Sequence, residues 1–220
     1  MSSARHSAHE PGQRPARSAG PTSPSIESTP QPARACAPRG PQHHSALHAS
    51  HGIIEYAISL GSNLGDRMAN MQAARDRLKH DPDFTFVAQS ALYDTEPVGV
   101  SEPYHDLTFL NAVIVVEARI APHSLLHHLR AIEHDMGRQR DGDRNAPRPI
   151  DLDILYAGDI AVSSPDLTLP HPRWQDRRFV VQPLADVRPQ HILPDDPRCV
   201  ADVLSALPPE PKVILFAQEW

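Results

Sequence analysis

The apolar side chains of this chain are not spread along it, and that segregation limits what can fold. Residues 1–50 hold eight prolines and, alanine aside, only four apolar side chains: Met1, Ile26, Cys36 and Leu47. Ordering each residue costs about 1–2 kcal/mol of backbone entropy, and that stretch cannot bury enough surface to offset it. Residues 1–51 are therefore expected to be a disordered extension rich in Pro, Ser, Ala and His, and residues 52–220 the folding unit, ample for one core. The extension is Arg-rich and acid-poor like a transit peptide, but its prolines forbid a long amphipathic helix. A disordered tail, or a start placed too far upstream, fits better.

Within 52–220 the hydrophobic periods order the elements. Ile53–Leu60 predicts a strand, followed by a turn-rich loop and a helix capped by Asp66 with Met68, Met71, Ala74 and Leu78 on one face. Phe84–Tyr93 and Leu107–Glu117 predict two further strands. Pro122 opens a second helix with a stripe of Leu125, Leu126, Leu129, Ile132 and Met136, and Gly137 ends it. Asp151–Tyr156 predicts a fourth strand. Short hairpin arms at 160–162 and 167–169, helices near 179–187 and 200–207 and a strand at 213–217 complete the chain. The order β-α-β-β-α-β over 53–156 is the split βαβ pattern. It predicts an α+β, ferredoxin-like antiparallel sheet with helices on one face, plus a C-terminal extension.

Charge narrows the chemistry. Nineteen of the 21 basic residues are Arg; Lys79 and Lys212 are the two lysines. Neither follows a glycine as a P-loop requires, and neither suits the strand lysine of a protein kinase. If the protein handles phosphate, it does so with arginine, whose planar fork binds two oxygens at once. The tail is net positive, so the folding unit is more acidic than the overall charge of −6. That argues against broad nucleic-acid binding. The longest apolar runs are about five residues, too short to span a membrane. Two cysteines, Cys36 and Cys199, make no disulfide framework, which fits a reducing, cytoplasmic setting.

The strongest local signal is Asp151-Leu152-Asp153-Ile154-Leu155. On a strand, Asp151, Asp153 and Leu155 share one face and Leu152, Ile154 and Tyr156 the other. The two carboxylates then stand roughly 6.5–7 Å apart at the backbone and can converge on Mg²⁺. A bare pair is equally the polar face of a half-exposed strand. Arg138, Arg140, Arg144 and Arg148 fall in the loop that feeds this strand, and together the two suit a nucleoside-triphosphate site. Gly61-Ser62-Asn63-Leu64-Gly65 could approach an anion, or be an ordinary turn. Phe109 and Asn111, two residues apart on one strand face, suit a flat ring with a polar edge. His171 stands in a second basic loop with Arg173, Arg177 and Arg178. His123 and His127 form an i, i+4 pair, but no HExxH motif or cysteine supports zinc.

Taken together, AISLGSNLGDR (57–67), TEPVG (95–99), FLNAV (109–113), IEHDMGRQR (132–140), APRPIDLDIL (146–155) and LTLPHPRWQDRRFVVQPL (167–184) resemble, in order and spacing, the 6-hydroxymethyl-7,8-dihydropterin pyrophosphokinases of folate biosynthesis. The resemblance implies transfer of pyrophosphate from ATP to the pterin hydroxymethyl group with release of AMP. It implies two Mg²⁺ on Asp151 and Asp153, with Arg138 and Arg148 on the triphosphate. Glu133, Arg140, Arg144, Thr168, His171 and Arg177 fall at nucleotide positions. Gly61, Thr95, Val98, Phe109, Asn111 and Phe179 fall at pterin positions, the two phenylalanines sandwiching the ring. It also implies small-molecule partners, no nucleic acid or membrane, and a monomer. Departures are Asn145-Ala146 where an aromatic often precedes the GPR segment, Arg130 where some members carry Gln, and Asp166 where some carry Arg. The rivals are an RNA-binding module on a ferredoxin-like sheet, which would want exposed sheet aromatics, and a DxD glycosyltransferase, which would need a larger nucleotide-sugar domain.

Overall fold

The computed structural model describes residues 52–97, 104, 106–138 and 146–220. Strand β1 (Ile54–Ser62) lies at the centre of the sheet beside β4 (Phe109–Ala118). On its other side is β5 (Asp151–Ala157). The far side of β4 carries β2 (Phe84–Gln89) along one half and β3 (Leu92–Thr95) along the other. Strand β8 (Val213–Ala217) closes the edge against β3, and every pairing is antiparallel. The expected split βαβ topology is thus present, with β8 added.

The region expected as one strand over 84–93 is two. The break falls at Ser90-Ala91, where Ser90 turns its hydroxyl inward. Its Oγ accepts from the Val113 amide at 2.9 Å, in place of a backbone carbonyl, while its own amide donates to Val113 O at 2.9 Å.

Helix α1 (Arg67–His80) begins where Asp66 accepts a hydrogen bond from the Ala69 amide at 3.0 Å, satisfying one of the open amides of the first turn. It buries Met71, Ala74 and Leu78. Helix α2 (Pro122–Asp135) starts on a proline, whose missing N–H costs nothing there, and buries Leu125, Leu129 and Ile132. Gly137 ends it at φ 88°, a left-handed conformation that glycine reaches without a Cβ clash. That turn lets the Arg138 amide donate back to Glu133 O at 3.0 Å and aims Arg138 towards the sheet. Both helices pack on the sheet face formed by Tyr56, Ile58, Leu60, Ile114, Val116, Leu152 and Ile154.

Helices on one face only was the expectation, and the structure corrects it. Helices α3 (Arg178–Val187) and α4 (Val200–Ala206) cover the opposite face, over Ala57, Val113, Val115, Leu155 and Tyr156, with Trp174 fully buried between. The physical reason is the uninterrupted apolar run of β4, buried on both sides. Alternation along β5 also fails at one point. A bulge shifts the register between Ala57 and Ile58, so Leu155 and Tyr156 both join the α3–α4 side. Two-residue strands β6 (Val162–Ser163) and β7 (Thr168–Leu169) form the expected hairpin. The two cysteines were expected to make no disulfide, and the structure corrects this for Cys199, which is disulfide-bonded; Cys36 lies outside the described residues. Among the described residues no helix is long and apolar enough to cross a membrane.

Candidate active site

The site grows from the open end of β5. Its first residue, Asp151, stands opposite Gly61 of β1, and Gly61 stands opposite Asn111 of β4. Cross-strand partners share a face, so Asp151, Gly61 and Asn111 form one row beneath the α3–α4 layer. Asp153 lies on the same face as Asp151, opposite Ser59. Its side chain is exposed to solvent although much protein surrounds its carboxyl. Crowding by protein, then the neighbouring charges of Asp151 and Glu133, raise its pKa to about 6. An acidic group raised in this way is one that a nearby cation would favour in its charged form.

Two arginines answer Asp151. Arg138 Nη1 donates to Asp151 Oδ1, and Arg148 Nη2 lies 2.8 Å from Asp151 Oδ2. The same Arg138 nitrogen donates to Glu133 Oε1. Glu133 is 1% exposed and projects from the last turn of α2, where its Oε1 also accepts from the Leu152 amide at 2.8 Å. One buried carboxylate therefore ties helix, strand and arginine together. Burial works against the Arg138 charge, but Asp151 and Glu133 outweigh it and raise its pKa further.

Gly61 is the floor. A Cβ there would stand 3.2 Å from Asn111 Oδ1, 3.8 Å from Asp151 Cβ and 4.0 Å from Phe109 Cδ1. Only glycine keeps that space open. Asn111 is 5% exposed and held by donating from Nδ2 to Thr95 Oγ1 at 2.7 Å; Thr95 is itself buried. Phe109, two residues before Asn111, shares the face, and the Arg148 guanidinium sits 6.0 Å from its ring centroid. Phe179 enters from the start of α3 and packs against the core of the α3–α4 side.

The remaining wall is the turn from His171 to Arg177. It is fastened to β5 by the His171 amide, which donates to Leu155 O at 2.8 Å. The Arg173 amide donates to His171 Nδ1 at 3.2 Å, which leaves the proton of neutral His171 on Nε2 as a donor. Burial, then the charges of Arg177 and Arg173, push His171 down to about 4, so it is uncharged near neutral pH. Burial also lowers Arg177, whose guanidinium sits 5.5 Å from the Phe179 ring centroid. Arginine stays cationic despite such a shift.

Among the described residues no three or more His, Cys, Asp or Glu side chains group into a metal cage. That donor set does fit Mg²⁺. A hard ion that keeps its waters takes one or two carboxylates and completes its shell with substrate phosphates. Asp151 and Asp153 offer oxygen donors from one strand face, the ligand type that suits Mg²⁺.

Residues 57–189 match the family model described as 7,8-dihydro-6-hydroxymethylpterin-pyrophosphokinase (HPPK). The chain belongs to this family. The 2-amino-4-hydroxy-6-hydroxymethyldihydropteridine pyrophosphokinase of Pseudomonas aeruginosa is 41% identical over 151 residues, covering 69% of this chain and 90% of that one. A folate synthesis bifunctional protein of Arabidopsis thaliana is 44% identical over 133 residues, 60% of this chain but 27% of that protein. This chain thus spans about a quarter of the length of the plant relatives it matches. A crystal structure of Plasmodium falciparum HPPK-DHPS superposes with a TM-score of 0.58 at 14% identity, over 71% of this chain and 46% of that one, a likeness of fold.

Against the HPPK pattern, the structure brings Glu133, Arg138, Arg148, Asp151 and Asp153 into one cluster. It brings Gly61, Thr95, Phe109 and Asn111 into a second, beside the first. His171 and Arg177 feel the charge of Asp151 from above. Thr168 stands exposed on β7. Val98, Arg140, Arg144 and Asn145 lie outside the described residues. The departures at Arg130 and Asp166 face each other electrostatically. Asp166 is held below the usual carboxylate range, first by a hydrogen bond from Ser164 and also by the charges of His123 and Arg130.

Sequence reasoning missed Asn63. It is 5% exposed, its Oδ1 accepts from the Arg148 amide at 2.8 Å, and its own amide donates to Arg148 O at 3.3 Å. Asn63 thereby sets where Arg148 starts. The signal was present in the Gly-Ser-Asn stretch, but nothing in its spacing says that its partner lies 85 residues on.

Proposed function

We propose that this chain is the ATP-dependent pyrophosphokinase of folate biosynthesis that acts on 6-hydroxymethyl-7,8-dihydropterin. The hydroxymethyl oxygen attacks the β-phosphorus of ATP, the bond from that phosphorus to the α–β bridging oxygen breaks, AMP leaves, and the hydroxyl proton passes to solvent. The observation that carries this reading is one row of side chains. The carboxylate pair at the end of β5 adjoins a glycine floor, which adjoins the buried Asn111 amide. Phosphate chemistry and a flat polar ring then meet across a single strand.

Two Mg²⁺, when bound, supply charge neutralisation along the triphosphate and lower the pKa of the attacking hydroxyl. Asp151 and Asp153 would hold them. Arg138 and Arg148 bind phosphate oxygens and stabilise charge as it develops. His171 donates from Nε2, and Arg177 adds a cation on the nucleotide side with Glu133, Thr168, Arg140 and Arg144. Asn111 and Thr95 read the polar edge of the pterin, Phe109 and Phe179 stack on it, and Gly61 and Val98 complete its pocket. Residues 52–220 act by themselves, as a cytoplasmic monomer without nucleic acid. The face that an RNA-binding sheet keeps open is occupied here by α3 and α4, which favours the small-molecule reading.

The test is incubation with ATP, Mg²⁺ and the hydroxymethyl dihydropterin. AMP, not ADP, is expected, and only with pterin present; a protein lacking residues 1–51 behaves alike. ADP formation, or no reaction, overturns the assignment.

A further inference from the structure

Asp151 is spoken for on both oxygens. Oδ1 accepts from Arg138 and Oδ2 from Arg148. A magnesium ion needs lone pairs of those same oxygens, and it would arrive beside two fixed positive charges. Neither arginine can simply drift off. Arg138 follows the helix-ending Gly137 and is tied to buried Glu133. The Arg148 backbone is pinned by two hydrogen bonds with Asn63, its amide donating to Asn63 Oδ1 and its carbonyl accepting from the Asn63 backbone amide. Their guanidinium groups can still turn to a better acceptor. A triphosphate is one, because it carries more charge than a carboxylate and offers paired oxygens to a planar fork.

We propose that Arg138 and Arg148 act as an internal stand-in for the metal, occupying Asp151 until a nucleoside triphosphate draws their guanidinium groups away. The proposal rests on the reading of Asp151 as a magnesium ligand in a triphosphate site. Its consequence is a coupling that this arrangement builds in. A divalent ion alone binds weakly, a triphosphate raises its affinity, and by linkage the ion raises the affinity for the triphosphate by the same factor. The two arginines are thus positioning residues for the metal site as well as ligands of the phosphates.

The test uses Mn²⁺, a paramagnetic probe for the Mg²⁺ position, titrated into the full chain and followed by electron paramagnetic resonance. It is run with and without α,β-methylene-ATP, which cannot undergo the transfer. In wild type the analogue is expected to tighten Mn²⁺ binding at least tenfold. Without nucleotide, Arg138→Gln and Arg148→Gln are each expected to tighten Mn²⁺ binding about tenfold, while Arg138→Lys, which keeps a competing cation, changes it less than threefold. With the analogue bound, the gain of both Gln variants disappears. Melting temperatures of each variant establish that the site is still folded; two arginines on opposite sides of Asp151 make a shared folding defect an inadequate explanation. If both Gln variants bind Mn²⁺ no more tightly than wild type without nucleotide, the stand-in is wrong while the site assignment survives. If Asp151→Asn leaves Mn²⁺ binding intact, or if wild type takes up no analogue, the site assignment fails and the stand-in with it.

Discussion

Gly61→Ala separates the pocket from the fold better than any other single change. The added methyl would project into the row between Asn111 and Asp151, 3.2 Å from Asn111 Oδ1. Asn111 cannot retreat freely, because it is buried and tied to Thr95 at 2.7 Å. Relieving that contact costs on the order of 1–3 kcal/mol, the usual range for one methyl too many in a packed site. Against it stands a gain of about 0.5–1 kcal/mol, because alanine loses less backbone freedom than glycine in a strand. The net destabilisation should be about 0–2.5 kcal/mol, up to roughly 10 °C in Tm for a domain of this size. The pterin has no such compensation. A ring seated on Gly61 must rise off the floor and lose its register with Asn111, so kcat/KM for the pterin should fall about 10- to 100-fold, equivalent to about 1.4–2.7 kcal/mol. Nucleotide affinity should move less than about threefold, since Arg138, Arg148, His171 and Arg177 are untouched. The assay is AMP release at varied pterin, with nucleotide binding and Tm measured on the same preparation. An unchanged kcat/KM for the pterin in a normally folded variant would show that the ring does not sit on Gly61.

Other substitutions probe other parts of the site. Asp151→Asn and Asp153→Asn should each reduce AMP formation at least about 10³-fold at saturating Mg²⁺, since each removes a ligand charge from the reacting centre; near-normal turnover of either sinks the two-carboxylate assignment. Arg148→Ala should lower kcat by about 10²-fold or more, with a smaller effect on KM for ATP, and the reverse split would make it a ground-state binding residue only. Glu133→Gln keeps an acceptor for the Leu152 amide but leaves Arg138 short of a charge partner, and should cost about 1–3 kcal/mol in urea unfolding. His171 gives a pH signature. Its folded pKa, about 4, lies below the unfolded value near 6.5, so the unfolded chain takes up the proton first and stability falls between those two pH values as acid is added. The His171→Gln variant should show a shallower loss of stability over that window, and NMR should find wild-type His171 still neutral at pH 5.5.

Much of this was legible before folding, wherever one local rule governed. The period of two put Asp151 and Asp153 on one face. Asp66 and Pro122 mark helix starts and Gly137 a helix end, because cap chemistry depends on a few neighbours. Where two rules competed, the reading failed. Leu155 and Tyr156 should have faced opposite sides, and a bulge placed both on one. The second helical layer was missed because α3 and α4 are separated from the β4 residues they cover by 60 residues or more of chain.

The sequence by itself determined the chemical vocabulary of this protein: an arginine-rich loop suited to phosphate, a carboxylate pair on a strand, and a ring-and-amide pair on another. Those follow from residue type and spacing, which need no partner. Only the tertiary structure decided the grammar. Strand register set Asp151 beside Gly61 and Asn111. The turn after α2 and the Asn63 clamp brought Arg138 and Arg148 to opposite oxygens of one carboxylate. Burial turned His171 into a neutral donor and pushed Asp153 up to about 6. Each of these depends on residues distant in sequence and adjacent in space, and proximity is what the sheet supplies.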